Sequence, residues 1–572
     1  MTGTVDTSAT WVRRLSNGPV FLDDVDALAA LVNDGDTISL GGFHFCRQPV
    51  GLAEAIAARS VRRLRHVQWG GSLALEILLE AGAIEHLTFC FSNLDIFGLA
   101  PNFRRALEEG LVGHVELTAL ELHQAVLAAQ MNLSTLPLQV PLGSWRAADY
   151  GDAQLADSPS VDVDVVLIHA QRADRRGNVE IDGPLGLDMS LALAGRRVLV
   201  TVEEIVEPGT LTNTGAVVPR QFITAIAPLA GGAWPASCAG HYVADYAELN
   251  ARVKQGRARR SDTSGPSEAV RKPARLQWAA QRWPDAAGVS GNTDTAADLM
   301  VAWLARRLDD RSVCSVGAVS PLATAAYLLA KHTHAPGLTI ISASGCCIDI
   351  GDRFMSLSFG EAADGQSAAA ICGGDDSYRW YYQQSRVTHE VVSAAQIDGA
   401  GRTNNSWIER PDGRRLRLPG QGGMADVANM HRNFILYATR QSVRQLVESV
   451  DWTSSARALV TEHERARLGY GPGQVELLTD LGVFKLDQST RRFVLSGVHP
   501  GSSVERIREH TGFDFEVETD LEITPILGAA ERAAIDVVDP FGVRRLEFTP
   551  ARERHEVIAA ILQDEQNYLE KL

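Results

Sequence analysis

Two glycine-rich stretches and a few nucleophiles and bases carry the chemistry open to this sequence. The first stretch is Gly41-Gly42-Phe43-His44-Phe45-Cys46-Arg47-Gln48-Pro49. Paired glycines let a ligand approach the backbone, and a helix opening after Pro49 favours an anion. Arg47 adds a guanidinium able to grip a phosphate or carboxylate with two hydrogen bonds. The plain alternative is a strand–helix turn with Arg47 in solvent. In the second stretch, Leu418-Pro419-Gly420-Gln421-Gly422-Gly423-Met424, the glycines offer N–H groups to an anion or oxyanion, or form a hairpin tip. His44 and Cys46 make a Cys–His pair only if their stretch is extended, because residues i and i+2 share a face in a strand. Cys346 and Cys347 could supply a nucleophilic thiolate, or simply fill the core. His389 could act as a general base, since imidazole titrates near neutrality. Its alternative is a strand-edge histidine in solvent.

These residues need elements to hold them, and the pattern supplies two similar sets. Apolar periodicity gives a helix over DDVDALAALVNDG, then a strand ending at Gly41-Gly42, a helix after Pro49 and a strand (LRHVQW) ending at Gly70. The second half repeats this order. A helix begins at Thr295, with Asp298 three residues on in capping-box form, then a strand ends at Gly317. Pro321 opens the next helix, and a strand (LTIISAS) ends at Gly345. The separations Gly42–Gly70 and Gly317–Gly345 are equal. Later, HAQRADRRGNVEIDG and AAQIDGAGRTNNS both place Ala-Gln and Asp ahead of a glycine turn. Matches in the same order argue for a duplicated α/β domain. Alternating short Val/Ile-rich strands and helices predict mostly parallel sheets covered by helices, with ligands at the carboxyl ends of strands.

Composition narrows the class. The chain has 572 residues, 45% of them hydrophobic and 22% charged, which fits globular protein. A net charge of −16 argues against nucleic acid as a partner. No run of 18 apolar residues appears, so no membrane partner is expected. The first residues lack the apolar core of a secretory signal, and seven cysteines suit a reducing cytoplasm. No CxxC or HxxxH spacing appears, so no metal is expected. Residues 251–294 are rich in Arg, Ser, Gly and Pro and read as a linker. The expected domains are therefore 1–250 and 295–572.

Taken together, HAQRADRRGNVEIDG, GAWPASCAGHYVADYAEL, KHTHAP, SAAQIDGAGRTNNS, LPGQGGMADVA, TDLGVFKLD and HPGSSVERIREHTGF resemble family I coenzyme A transferases. The first half is similar to the α subunit of the glutaconate enzyme, the second half to its β subunit. The resemblance implies two tandem α/β domains fused in one chain, with the active site between the halves. It implies an acyl-CoA thioester as substrate, no permanently bound cofactor, and a homodimer. The thioester would lie along Gly41, Gly42, Phe43, Arg47, Ser393, Ala394, Ala395, Gln396, Gly420, Gly422 and Gly423. The family's nucleophile is a glutamate in a motif of the form Ile-Ile-Val-Glu-Ser-Gly. Here the motif reads Ile340-Ile341-Ser342-Ala343-Ser344-Gly345, and Ala343 cannot form an acyl anhydride. Relatives commonly have glycines where Ser393 and Ala394 stand, so the thioester-oxygen site is more crowded. Asp349 or Glu361 could substitute as the acid.

One branch of the superfamily, the hydrolases of steroid-ring degradation, uses water and a first-half acid. This sequence is similar to that branch in lacking the second-half glutamate. The branch's acid falls near VELTALELHQ, on Leu122 by direct matching and on Glu121 by a one-residue slip, with His123 on its other side. The leading expectation is therefore hydrolysis, of a C–C bond or of the thioester. A true transferase using a substitute acid, and an inactive acyl-CoA-binding scaffold, are the alternatives.

Overall fold

The computed structural model describes residues 18–151, 155–212, 215–255, 258, 295–317, 319–342 and 345–571. These form two units, each built round one large sheet. In the first unit the sheet runs Val20–Phe21, Ala225–Pro228, Arg197–Val206, Val165–Asp174, Thr37–Leu40, Leu64–Gly71, Ile84–Ser92 and Gly113–Glu116. Every pairing along that path is parallel. The central strand Val165–Asp174 is buried at every position but Arg172, which is why it reads as an apolar run and not as an alternation.

The second unit repeats the plan. Its parallel core runs Val475–Thr479, Asn433–Ala438, His389–Ser393, Val313–Val316 and Thr339–Ser342. That is the order of Ala225–Pro228, Arg197–Val206, Val165–Asp174, Thr37–Leu40 and Leu64–Gly71 in the first. Here Gly482–Asp487 and Arg492–Val498 extend one edge as antiparallel strands. Helices Val50–Ala58 and Pro321–Thr333 follow their strands in both units, as do Asp188–Ala194 and Met424–Met430. Thr295 and Asp298 form the expected capping box on the helix Ala296–Ala305.

The repeated turn is built the same way twice. The Asp174 Oδ1 accepts the N–H of Arg176 and of Asn178, and Gly177 N donates to Asp174 O. The Asp398 Oδ1 accepts the N–H of Ala400 and of Arg402, and Gly401 N donates to Asp398 O. Both glycines have positive φ, 96° and 69°, which favours Gly.

The expected boundary at Ala251 needs correction. The helix Tyr246–Gln255 runs through it, with Leu249 and Arg252 buried. Ala258 is also held, its N–H donating to Glu80 Oε2 and its C=O accepting from Arg252 Nη1. Paired apolar and long side chains on one helix face outweigh the basic composition there. The rest of the expected linker, 259–294, lies outside the described residues. The units also divide differently from the halves of the sequence, because Asp95–Phe97 and Gln139–Gln154 group with the second unit.

Candidate active site

In the first unit the carboxyl end of Thr37–Leu40 leads into the expected glycine loop. Gly42 has φ 76°, and a Cβ there would lie 2.5 Å from Cys46 O, so only glycine fits. Phe43 and Cys46 exchange backbone hydrogen bonds at 2.9 and 2.8 Å. His44 and Arg47 take φ 48° and 50°, so the loop turns and is not extended. The expected His44–Cys46 pairing on one face is thereby lost. Arg47 is fully buried and does not wait for a ligand. Its Nη1 pairs with Asp188 Oδ2 at 2.5 Å and its Nη2 donates to Pro184 O. Gly42 N donates to the other oxygen of Asp188 at 2.7 Å. Reading Arg47 as an anion receptor is corrected accordingly: the guanidinium clamps the loop to the start of the helix Asp188–Ala194 and offsets the burial of Asp188.

Beyond the clamp, the strand ends bring a cluster of rings together. Phe43 lies 4.2 Å from His44 and 4.8 Å from Trp69 between ring centroids. Trp69 meets His123 edge-on at 4.8 Å, and His44 lies 5.8 Å from Phe91. All five are buried. Burial pushes His44 down to about 4, so its imidazole is neutral at neutral pH. Glu121 sits one turn ahead of Gln124 in the helix Ala119–Gln130 and is 2% exposed. Its Oε2 accepts the Thr118 N–H at 2.6 Å, and its own N–H donates to Thr118 Oγ1 at 3.2 Å. This capping box fixes a carboxylate in the helix first turn, two residues from His123. Trp69 and Phe91 escape a reading of the sequence because aromatic residues in strands read as core. Their position at strand ends is the available signal.

In the second unit the expected loops are tied to each other. Ser393 Oγ donates to Tyr437 O, and Ala394 O accepts from Gln445 Nε2. Ala395 N donates to Asn405 Oδ1 at 3.0 Å, and Gly420 N donates to Asn405 O at 2.8 Å. Gln396 is engaged at both ends: Nε2 donates to Asp451, and Oε1 accepts from Asn404 Nδ2 and Asp451 N. Gln171 does likewise in the first unit, with Asp182 and Ala239. Each Ala-Gln motif therefore positions its strand end through a buried amide. Gly420 and Gly422 take φ 125° and 55°, and Gly423 caps the helix Met424–Met430.

Three acid, base or nucleophile candidates are placed unfavourably. His389 opens the strand His389–Ser393, so it stands at the amino end of the parallel strands. Its ring nitrogens bond Thr388 Oγ1 at 2.9 Å and Asn433 Nδ2 at 3.1 Å, and burial pushes it down to about 4. The general-base reading is corrected: a histidine must reach the carboxyl ends to serve there. Cys347 is fully buried in the short strand Cys347–Ile348, paired with Ser342, and acts as a small core side chain. Asp349 pairs with Lys331 at 2.9 Å. Glu361 belongs to the helix Gly360–Ser367, but its side chain lies outside the described residues, as does Ala343. Beside that position, Gly345 has φ 91°, and an added Cβ would fall 2.0 Å from Ser377 Oγ.

Comparison with known proteins puts this geometry in context. A family model described as "Coenzyme A transferase" matches residues 23–228 and 298–510. One of the two 3-oxoadipate CoA-transferase subunits of Pseudomonas knackmussii is 33% identical over 261 residues, 43% of this chain and 92% of that protein. The cholesterol ring-cleaving hydrolase IpdA subunit of Rhodococcus jostii is 30% identical over 208 residues, 33% of this chain and 69% of that protein. The solved structure of the Escherichia coli O157:H7 acyl-CoA transferase YdiF, a thioester complex with CoA, superposes with TM-score 0.67. That match has 13% identity and covers 91% of this chain and 97% of the other. It supports the fold alone.

Proposed function

Because this chain belongs to the coenzyme A transferase family, an enzyme family, we propose that it cleaves an acyl-CoA substrate hydrolytically, with Glu121 as the base. The observation that carries this reading is the buried Glu121 carboxylate, held by the Thr118 N–H in the first turn of its helix. Glu121 takes a proton from water, and the hydroxide oxygen adds to a substrate carbonyl. Collapse breaks either the C–S bond, releasing the CoA thiol, or a C–C bond, releasing a carbanion. The proton held by Glu121 then returns to that leaving group, so the step balances. Ala343, at the position matching the family's nucleophile, supports a route without an enzyme anhydride. The ring-cleaving hydrolase among the relatives supports the same class.

The transferase reading is favoured by the 3-oxoadipate relative. It needs a substitute acid, and Asp349 is already paired with Lys331. Among the described residues no helix is long and apolar enough to cross a membrane. The reading takes a cytoplasmic homodimer, which light scattering tests. The functional test is turnover of an acyl-CoA panel in ¹⁸O-water, with and without small carboxylic acids. Label should enter a product acid with no acceptor present. Glu121→Gln keeps an oxygen for the Thr118 N–H but removes the base, and should slow turnover by about 10²- to 10⁴-fold. CoA esters that form only on added acids, without label, would replace this reading by transfer.

A further inference from the structure

A second group of chemistry-bearing side chains lies in the first unit. His169 stands on Val165–Asp174, Glu203 on the neighbouring strand Arg197–Val206, and Cys238 in the chain that follows. Imidazole nitrogen, carboxylate oxygen and cysteine sulfur from these three all lie within 4.8 Å of one another. The His169 Nε2 is 2.9 Å from Glu203 Oε1. In a tetrahedral zinc site with bonds of about 2.0–2.3 Å, ligand atoms sit roughly 3.3–3.8 Å apart. His169 and Glu203 sit closer than that value and the three donors span at most 4.8 Å, so side-chain adjustment of about an ångström would complete the site.

The surroundings orient each donor. The other ring nitrogen, His169 Nδ1, bonds Thr201 Oγ1 at 2.9 Å, the outer partner a metal-bound histidine needs. Glu203 is held by Tyr242 OH at 2.6 Å and by the Gly231 N–H. Gly232 leaves space for the imidazole: a Cβ there would fall 2.6 Å from His169 Cε1. Against its burial, the His169 ring first, and then Tyr242 and the Gly231 N–H, hold Glu203 down at about 2. The fold does not demand this cluster. In the second unit the same Ala-Gln turn is built with Ala394 where His169 stands.

We propose that His169 Nε2, a Glu203 carboxylate oxygen and Cys238 Sγ bind one divalent cation of borderline softness, with Zn²⁺ the occupant their N, O and S donors fit best. Binding forms three metal–ligand bonds and releases the Cys238 thiol proton, with any proton shared between His169 and Glu203, to solvent. The expectation of no metal rests on short sequence spacings. These ligands are dispersed along the chain, 34 residues separating His169 from Glu203, and only sheet pairing joins them.

The full chain, stripped with a chelator and dialysed against Co²⁺ and then Zn²⁺, tests this. About one metal per chain should be retained, and the Co²⁺ form should show thiolate-to-cobalt charge-transfer absorption. Cys238→Ser should abolish that band while circular dichroism is unchanged, and Cys46→Ser should leave it intact. Thr201→Val should weaken Zn²⁺ affinity by about 10- to 100-fold without removing the band. Failure of the wild-type chain to retain metal, or a band that survives in Cys238→Ser, overturns the proposal. Neither outcome bears on Glu121.

Discussion

Arg47 shows how far one residue can be read from sequence. Its place in a glycine loop was visible, but its partner Asp188 lies 141 residues on, and only the fold brings that carboxylate to it. A buried ion pair is expensive to break from one side, since the surviving charge keeps its desolvation cost without its partner. Asp188→Ala should therefore lower the unfolding free energy of the first unit by about 3–5 kcal/mol, measured by urea denaturation. The paired replacement Arg47→Met with Asp188→Leu should recover much of that loss, because no buried charge remains. If the single variant is as stable as the wild type, the clamp does not hold the loop. Glu121 could be singled out only to within one residue from the motif, and its burial in the first turn of its helix came from the fold. His389 was legible as a titrating group but not as standing at the wrong end of its strand. Direction along a parallel strand is a property of the sheet, not of the residue.

At the scale of elements, capping explains how helices are seated, and it has a pH signature. The helix Pro101–Glu108 has its first N–H groups, those of Asn102 and Phe103, bonded to both oxygens of Glu76 on the helix Leu73–Glu80. In the second unit Pro321–Thr333 begins in the same way, with Leu322 N donating to Glu547 Oε2 while Tyr437 OH donates to Oε1. Each helix opens with proline, which has no N–H to satisfy. The N-terminal signal Pro321 was readable, but the remote glutamates were not, because nothing local marks them. Burial pushes Glu76 and Glu547 up from 4.5 to about 7. A carboxyl raised on folding favours the folded state fully below its unfolded value and loses that contribution as pH rises through its folded value. Stability should thus fall between pH 4.5 and about 7 at both sites, by at most about 3 kcal/mol each. Glu203, held at about 2, acts with the opposite sign and only in more acidic solution. Guanidinium unfolding at pH 5 and pH 8 should show a shallower loss for Glu547→Gln than for the wild type. Equal losses would mean that Glu547 stays ionised in the folded chain.

For the whole chain, duplication was legible and its division was not. Equal glycine spacings and the twice-used Ala-Gln/Asp/Gly turn announced two copies of one plan, and both sheets share one core strand order. That order itself could not be read, since it places Thr37–Leu40 beside Val165–Asp174, across more than a hundred residues of intervening chain. Nor did any composition shift mark Gln139–Gln154, which belongs to the first copy in sequence and to the second unit in space. Within that unit Trp145 N donates to Thr453 O at 2.8 Å, Leu142 O accepts from Asn429 Nδ2 at 2.9 Å, and Trp145 meets Trp452 edge-on at 5.6 Å. Gly143 allows the close approach: it has φ 74°, and an added Cβ would lie 2.8 Å from Ala456 O. Gly143→Ala therefore meets both left-handed strain and a backbone contact that cannot swing aside, for a cost of about 1–3 kcal/mol. Because the segment completes the second unit, the loss should appear as reduced hydrogen-exchange protection in Asn433–Ala438, with Val165–Asp174 unaffected. Loss of protection in Val165–Asp174 instead would show that the arm stabilises the unit its sequence comes from.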